Sequence, residues 1–120
     1  MRPGVTNPIV HLELRTDNLP RACAFYTQLF GWCARTIHLG AASYLTLDLS
    51  ERMQGGVVER ESGPSIWLPY VEVDDIALAT ERARQLGAVV TVESREGPAG
   101  WRSVLVAPDG GEIALWQPKG

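Results

Sequence analysis

Two nine-residue stretches decide how this chain is read: His11-Leu-Glu-Leu-Arg-Thr-Asp-Asn-Leu19 and Leu68-Pro-Tyr-Val-Glu-Val-Asp-Asp-Ile76. In the first, Val10, Leu12 and Leu14 alternate with His11, Glu13 and Arg15, the period-two pattern of a strand with one apolar and one polar face. With Pro8 opening the run, this predicts a strand over 8–15. Asp17-Asn18 then offers a helix N-cap, a side-chain oxygen placed to accept from an otherwise unpaired first-turn N–H. The second stretch repeats the order, with a strand predicted over 66–73 and a cap at Asp74-Asp75.

Each cap opens a helix. After the first, Leu19, Ala22, Cys23, Tyr26, Leu29 and Phe30 recur at helical spacing. Pro20 is tolerated in the first turn, where its missing N–H would be unpaired, and Gly31 is the stop. After the second, Ile76, Ala79, Ala83 and Leu86 share a face and Gly87 ends the run. Three strands follow each helix: about 32–38, 42–49 and from Gly55 onward in the first half, then 88–93, 102–107 and 112–117 in the second. Glu61-Ser62-Gly63-Pro64 reads as the linker.

Further matches keep the same order: Ala22 with Ala79, Gln28-Leu29 with Gln85-Leu86, and Gly55-Gly56 with Gly110-Gly111. One element order recurring at a period of about 55 residues marks an internal duplication. The predicted fold is α+β: two tandem βαβββ modules, residues 8–60 and 66–117, forming a single domain over 1–120. Their curved mixed sheet is expected to enclose a cavity, because one face of each half-sheet needs cover.

Composition narrows the partners. The 120 residues are 45% hydrophobic and 21% charged, with a formal net charge of −3. That balance offers no basic footprint for nucleic acid and no polybasic anchor for a membrane surface. No apolar run approaches the roughly 18 residues of a membrane span, and residues 1–8 lack the apolar core of a secretory signal. Cys23 and Cys33 are therefore expected to be free thiols of a cytoplasmic protein, with Cys23 packed as a small hydrophobe on the helix face.

Beyond periodicity, the run His11–Leu19, then Ala24-Phe25-Tyr26, Leu29-Phe30-Gly31-Trp32 and the ending Ala107-Pro-Asp-Gly-Gly-Glu-Ile-Ala-Leu-Trp116 resemble the vicinal oxygen chelate superfamily. That group holds glyoxalase I, bleomycin-resistance proteins and extradiol dioxygenases, and the similarity runs from about residue 8 to 117. The resemblance implies the glyoxalase-like fold, a small-molecule ligand and a homodimer. It is specific for fold and poor at naming the reaction, since one scaffold here serves several chemistries.

In metal-dependent members each module gives one ligand from its first strand and one carboxylate from its last. A divalent metal with open positions then polarises adjacent substrate oxygens. By that resemblance His11 takes the first ligand position, whereas the matching position of the second module is Leu68, and its last-strand carboxylate position is Ala114. Aligning the Gly-Gly pairs puts Glu59 at the remaining place. His11 and Glu59 would then be the metal ligands, or else hydrogen-bonding residues beside a cavity. Two ligands fall short of the three usual for a catalytic metal, so no cofactor is the favoured expectation.

The cavity-facing set expected from parity and resemblance is His11, Glu13 and Arg15, matched by Leu68, Tyr70 and Glu72, with Ala114 and Trp116 on the last strand. Leu68, Tyr70, Ala114 and Trp116 would make an apolar, aromatic lining suited to a planar or hydrophobic ligand, with His11 and Glu13 orienting it. Tyr44 is a further candidate, and Trp101, after Gly-Pro-Ala-Gly, is either lid or core anchor. Trp67 has the opposite parity from Leu68 and is expected to pack against a helix. Two functions remain open: a metal-free binding protein for an aromatic or amphipathic compound, and an enzyme of the glyoxalase/dioxygenase class, metal-dependent or moving a proton with His11 or Glu13.

Overall fold

The computed structural model describes residues 7–32, 34–39, 42–50 and 53–120, and only the backbone of 39 and 42–44. The elements run β1 (Ile9–Thr16), α1 (Leu19–Phe30), β2 (Ala34–Leu39), β3 (Ala42–Asp48) and β4 (Gln54–Glu59). The order then repeats as β5 (Ile66–Glu72), α2 (Ile76–Gln85), β6 (Val89–Glu96), β7 (Gly100–Val106) and β8 (Glu112–Pro118). This is the α+β pattern of two βαβββ sets that the sequence predicts. The described residues divide into two compact units, His11–Leu68 and Pro69–Gly120 with residues 7–10.

In the unit His11–Leu68 the strands lie in the order β2-β3-β4-β1, with β1 parallel to β4 and the other pairs antiparallel. The alternation in β1 sends Leu14 to the same face as Val57 and Leu47, and these three form the buried core. Leu19, Ala22, Cys23 and Tyr26 of α1 pack on them, so the helix covers the face opposite His11. Asn18 Oδ1 accepts from the Arg21 N–H at 3.1 Å, and Gly31, at φ 70°, closes the helix by donating its N–H to the Thr27 carbonyl. That left-handed φ is why glycine stands there.

In the second unit the order is β5-β8-β7-β6, with β5 parallel to β8. Asp75 caps α2 by accepting from the Leu78 N–H at 3.0 Å, and Gln117 Oε1 accepts from the Ile76 N–H at 2.8 Å. Buried Thr80 and Ser103 hydroxyls join helix to sheet at 2.9 Å. Gly87, at φ 99°, turns the chain after the helix. Strand β6 runs three residues beyond its expected end, and β7 begins at Gly100 rather than 102. Among the described residues no helix is long and apolar enough to cross a membrane. Cys23 is a half-buried free thiol whose pKa is pushed up by burial, and Cys33 lies outside the described residues.

Candidate functional site

The polar face of β1 is the natural starting point, since three chemically active side chains repeat there at every second residue. Glu13 is buried at 6% exposure, and Arg15 Nε donates to its Oε1 at 2.9 Å. The pair is neighbouring same-face positions on one strand, and the long Arg15 stem folds back along it. Gln54 stands across from His11 and Gly56 across from Glu13, with Thr46 beyond Gly56 on β3.

His11 is seated on Gly56. A Cβ added there would come within 3.0 Å of His11 Nε2, so the glycine leaves room for the ring. Burial pushes the His11 pKa below its ordinary 6.5, and the Glu13 charge offsets this only in part. The shift favours the uncharged imidazole, in which one nitrogen is a donor and the other an acceptor.

The register corrects the place assigned to Glu59. Glu59 pairs with Thr16, five positions along β4 from the partner of His11, or roughly 16 Å at strand rise. It also alternates with Val57 and so belongs to the face that α1 covers. The structure does not bring it to His11. In the second unit Tyr70 pairs with Ala114, just as Glu13, the counterpart of Tyr70, pairs with Gly56. The first-module position answering Ala114 is thus Gly56.

The misalignment has a physical origin: the two glycine pairs serve different needs. Gly55 and Gly56 lie inside β4, where a Cβ at Gly55 would meet the Leu12 carbonyl at 3.1 Å. Gly110 and Gly111 precede β8, and Gly110 turns the chain at φ 96°.

The second unit brings together Tyr70, Ala114 and Trp116. Tyr70 is 5% exposed and Ala114 fully buried, and the Tyr70 and Trp116 rings lie 6.3 Å apart at 58°. Trp116 pairs with Glu72 on one side and Arg102 on the other. Arg102 Nη1 donates to Tyr70 Oη at 2.7 Å, placing a half-buried cation beside the two rings. Arg102 is absent from the sequence-derived set. Its signal was its alternation with Val104, but Val104 and Leu105 are both buried, so neither parity stood out as the outer one. Gly100 completes the arrangement: a Cβ there would fall 2.8 Å from Trp116 Cζ2 and 2.3 Å from the Gln117 carbonyl oxygen.

Trp101 falls elsewhere. Because β7 starts at Gly100, Trp101 pairs with Gln117, whose side chain reaches the start of α2. It stands on the helix-covered side, away from the face of Ala114 and Trp116, with Lys119 Nζ 5.6 Å from its ring centroid. Leu68 is fully buried. Trp67 packs as expected against α1, its indole N–H donating to Tyr26 Oη at 3.3 Å. Tyr44 pairs with Ile37 through its backbone, and its side chain lies outside the described residues.

On the side of β1 away from His11, an open apolar hollow of about 450 Å³ is lined by Leu12, Trp32, Leu49, Ser50, Met53 and Trp67. It was not foreseen. The sequence reading gave Trp32 no function, since packing aromatics and lining aromatics share one periodicity.

The donor set argues against the family's metal. Of the four corresponding positions, His11 alone carries a ligating side chain, beside Gly56, Leu68 and Ala114. Among the described residues, no three His, Cys, Asp or Glu side chains gather as a metal would require.

This two-module α+β fold, with its site residues on the first and last strands of each module, defines a scaffold class that can be named. Residues 8–115 match the profile of the Glyoxalase/Bleomycin resistance protein/Dioxygenase superfamily, and the chain belongs to it. Among curated relatives it is 28% identical over 124 residues to a Mycobacterium tuberculosis protein named "Putative glyoxylase CFP32", covering 97% of this chain and 46% of that protein. It is 24% identical to the anthracycline biosynthesis protein DnrV of Streptomyces peucetius, over 88% of this chain and 45% of that one. The chain thus spans about half the length of the curated relatives it matches. Among solved structures, a hypothetical protein, BH1468, from Bacillus halodurans C-125 superposes with a TM-score of 0.72 at 14% identity, over 97% of both chains. Methylmalonyl-CoA epimerase from Mycobacterium tuberculosis superposes at 0.64 and 16% identity, over 93% of this chain and 88% of that one. At these identities the likeness is one of fold.

Proposed function

We propose that this chain is a metal-free small-molecule-binding protein of the glyoxalase/bleomycin-resistance type, taking an aromatic or amphipathic ligand and acting as a cytoplasmic homodimer. The observation that carries the reading is the substitution around Ala114. Where a metal-dependent relative would offer a carboxylate, this chain has a methyl group, with Tyr70 and Trp116 beside it and Arg102 anchored on Tyr70. A pair of rings suits stacking on a planar ligand, and the guanidinium suits an anionic or strongly accepting substituent on it.

The test is a thermal-shift screen of aromatic amphipathic compounds alongside nickel, zinc and manganese. A compound that raises the melting temperature should lose about tenfold or more in affinity for Trp116→Ala, and anionic compounds should also lose affinity for Arg102→Met. Stabilisation by a metal, with no response to any aromatic compound, would sink the proposal.

A second reading has one observation in its favour. His11 is half-buried over Gly56, and burial pushes its pKa down toward the uncharged form a general base needs, so a metal-free proton transfer is the enzymatic alternative. Turnover that survives exhaustive chelation and disappears in His11→Gln would establish it.

A further inference from the structure

The two helices differ in a way that their shared place in the modules does not require. The outward side of α2 is mostly charged: Leu78 is 69% exposed, but Glu81, Arg82 and Arg84 are exposed with it, and Arg84 pairs with both Glu81 and Glu93. The sequence of α1, Leu-Pro-Arg-Ala-Cys-Ala-Phe-Tyr-Thr-Gln-Leu-Phe, has Arg21 as its one charged residue and is apolar nearly all round. Such a helix is ordinarily buried, yet no residue of α1 is. Phe25, Leu29 and Phe30 remain 56, 57 and 55% exposed.

These side chains continue into the hollow beyond them. Phe30 and Trp32 rings lie 4.7 Å apart, Tyr26 stacks on Trp32 at 5.7 Å, and Trp32 meets Trp67 edge-on at 6.2 Å. Trp32 and Trp67 then line the hollow with Leu12, Leu49 and Met53. One surface therefore carries both protruding phenyl rings and an apolar recess.

We infer that this surface, the outer face of α1 with the adjoining hollow, is where two copies of the chain associate. The inference rests on the homodimer reading above and names its interface. A two-fold contact needs one patch that is complementary to itself, with residue i meeting j and j meeting i. Phe25, Leu29 and Phe30 of one copy set against the hollow of the other, and reciprocally, meet that requirement.

The area suffices. The exposed parts of those three side chains amount to roughly 300 Å² per copy, or about 600 Å² for two. At the roughly 60% apolar composition of protein interfaces this implies about 1,000 Å² in total, the lower bound for a specific contact, before the hollow is counted.

Light scattering with size exclusion between about 1 and 100 μM decides it. The chain should run at twice its 13.1 kDa mass. Leu29→Glu, on the helix, and Met53→Glu, in the hollow, should each bring it to the single-chain mass with the circular dichroism of the folded protein unchanged. Leu78→Glu, on the exposed face of α2, should remain a dimer. A wild-type chain at single mass throughout the range overturns both the dimer and this surface. A dimer that withstands Leu29→Glu and Met53→Glu overturns the surface alone, and neither result touches ligand binding at Trp116.

Discussion

His11 shows what one side chain gains from its seat. Desolvation lowers its pKa from 6.5, and the nearby Glu13 carboxylate opposes that shift without cancelling it. Between the folded pKa and 6.5 the unfolded chain binds more protons, so the stability contributed by this site rises with pH across that window. It is fully present above 6.5 and is lost as the solution is acidified through the window. Titration of the His11 ring by NMR should give a midpoint below 6.5, and Glu13→Gln should lower it further by removing the opposing charge. Denaturation between pH 7 and 5 should show a smaller loss of stability for His11→Gln than for the wild type. At this scale strand parity put His11 and Glu13 on one face of the first strand and Tyr70 on the matching face of the fifth, but the glycine alignment misplaced Glu59. Parity is counted from residues that reveal a face, and the glycine pair used for the alignment has no side chain to do so.

At the scale of elements the sequence was more legible, because caps and stops act through local backbone chemistry. Asn18 and Asp75 do cap α1 and α2, and Gly31 and Gly87 follow them at positive φ. The start of β7 was harder to read: a small residue at Gly100 signals a loop, whereas here it permits close approach to Trp116 and Gln117. That two-residue difference puts Trp101 on the strand, paired with Gln117, where the sequence left it open between lid and core anchor. How α2 is held to its sheet was also hidden, since Thr80 and Ser103 look like ordinary polar residues in sequence. Both are buried, at 2 and 0% exposure, and Thr80 also donates to the Ile76 carbonyl. Thr80→Val strands the Ser103 hydroxyl, and should cost about 1–3 kcal/mol. In urea titrations the midpoint should fall with an unchanged slope, and Thr80→Val with Ser103→Ala should recover part of the loss.

For the whole molecule, duplication gives two modules of one plan whose surfaces have diverged. One first strand presents His11 and Glu13, while the last strand of the other module presents Ala114 and Trp116 beside Tyr70 and Arg102; one helix exposes mostly charged residues with Leu78, and the other exposes Phe25, Leu29 and Phe30. The apolar helix face ties stability to association, because a dimer that unfolds to two separate chains is favoured by mass action. Two chains of 120 residues carry an unfolding enthalpy of about 170 kcal/mol near 60 °C. The melting temperature should then rise by roughly 3 °C for each tenfold increase in protein concentration, measured by calorimetry. Leu29→Glu should melt at one temperature regardless of concentration, and below the wild type at the highest concentration. A wild-type melting temperature that does not move with concentration would mean that α1 meets water and no second copy.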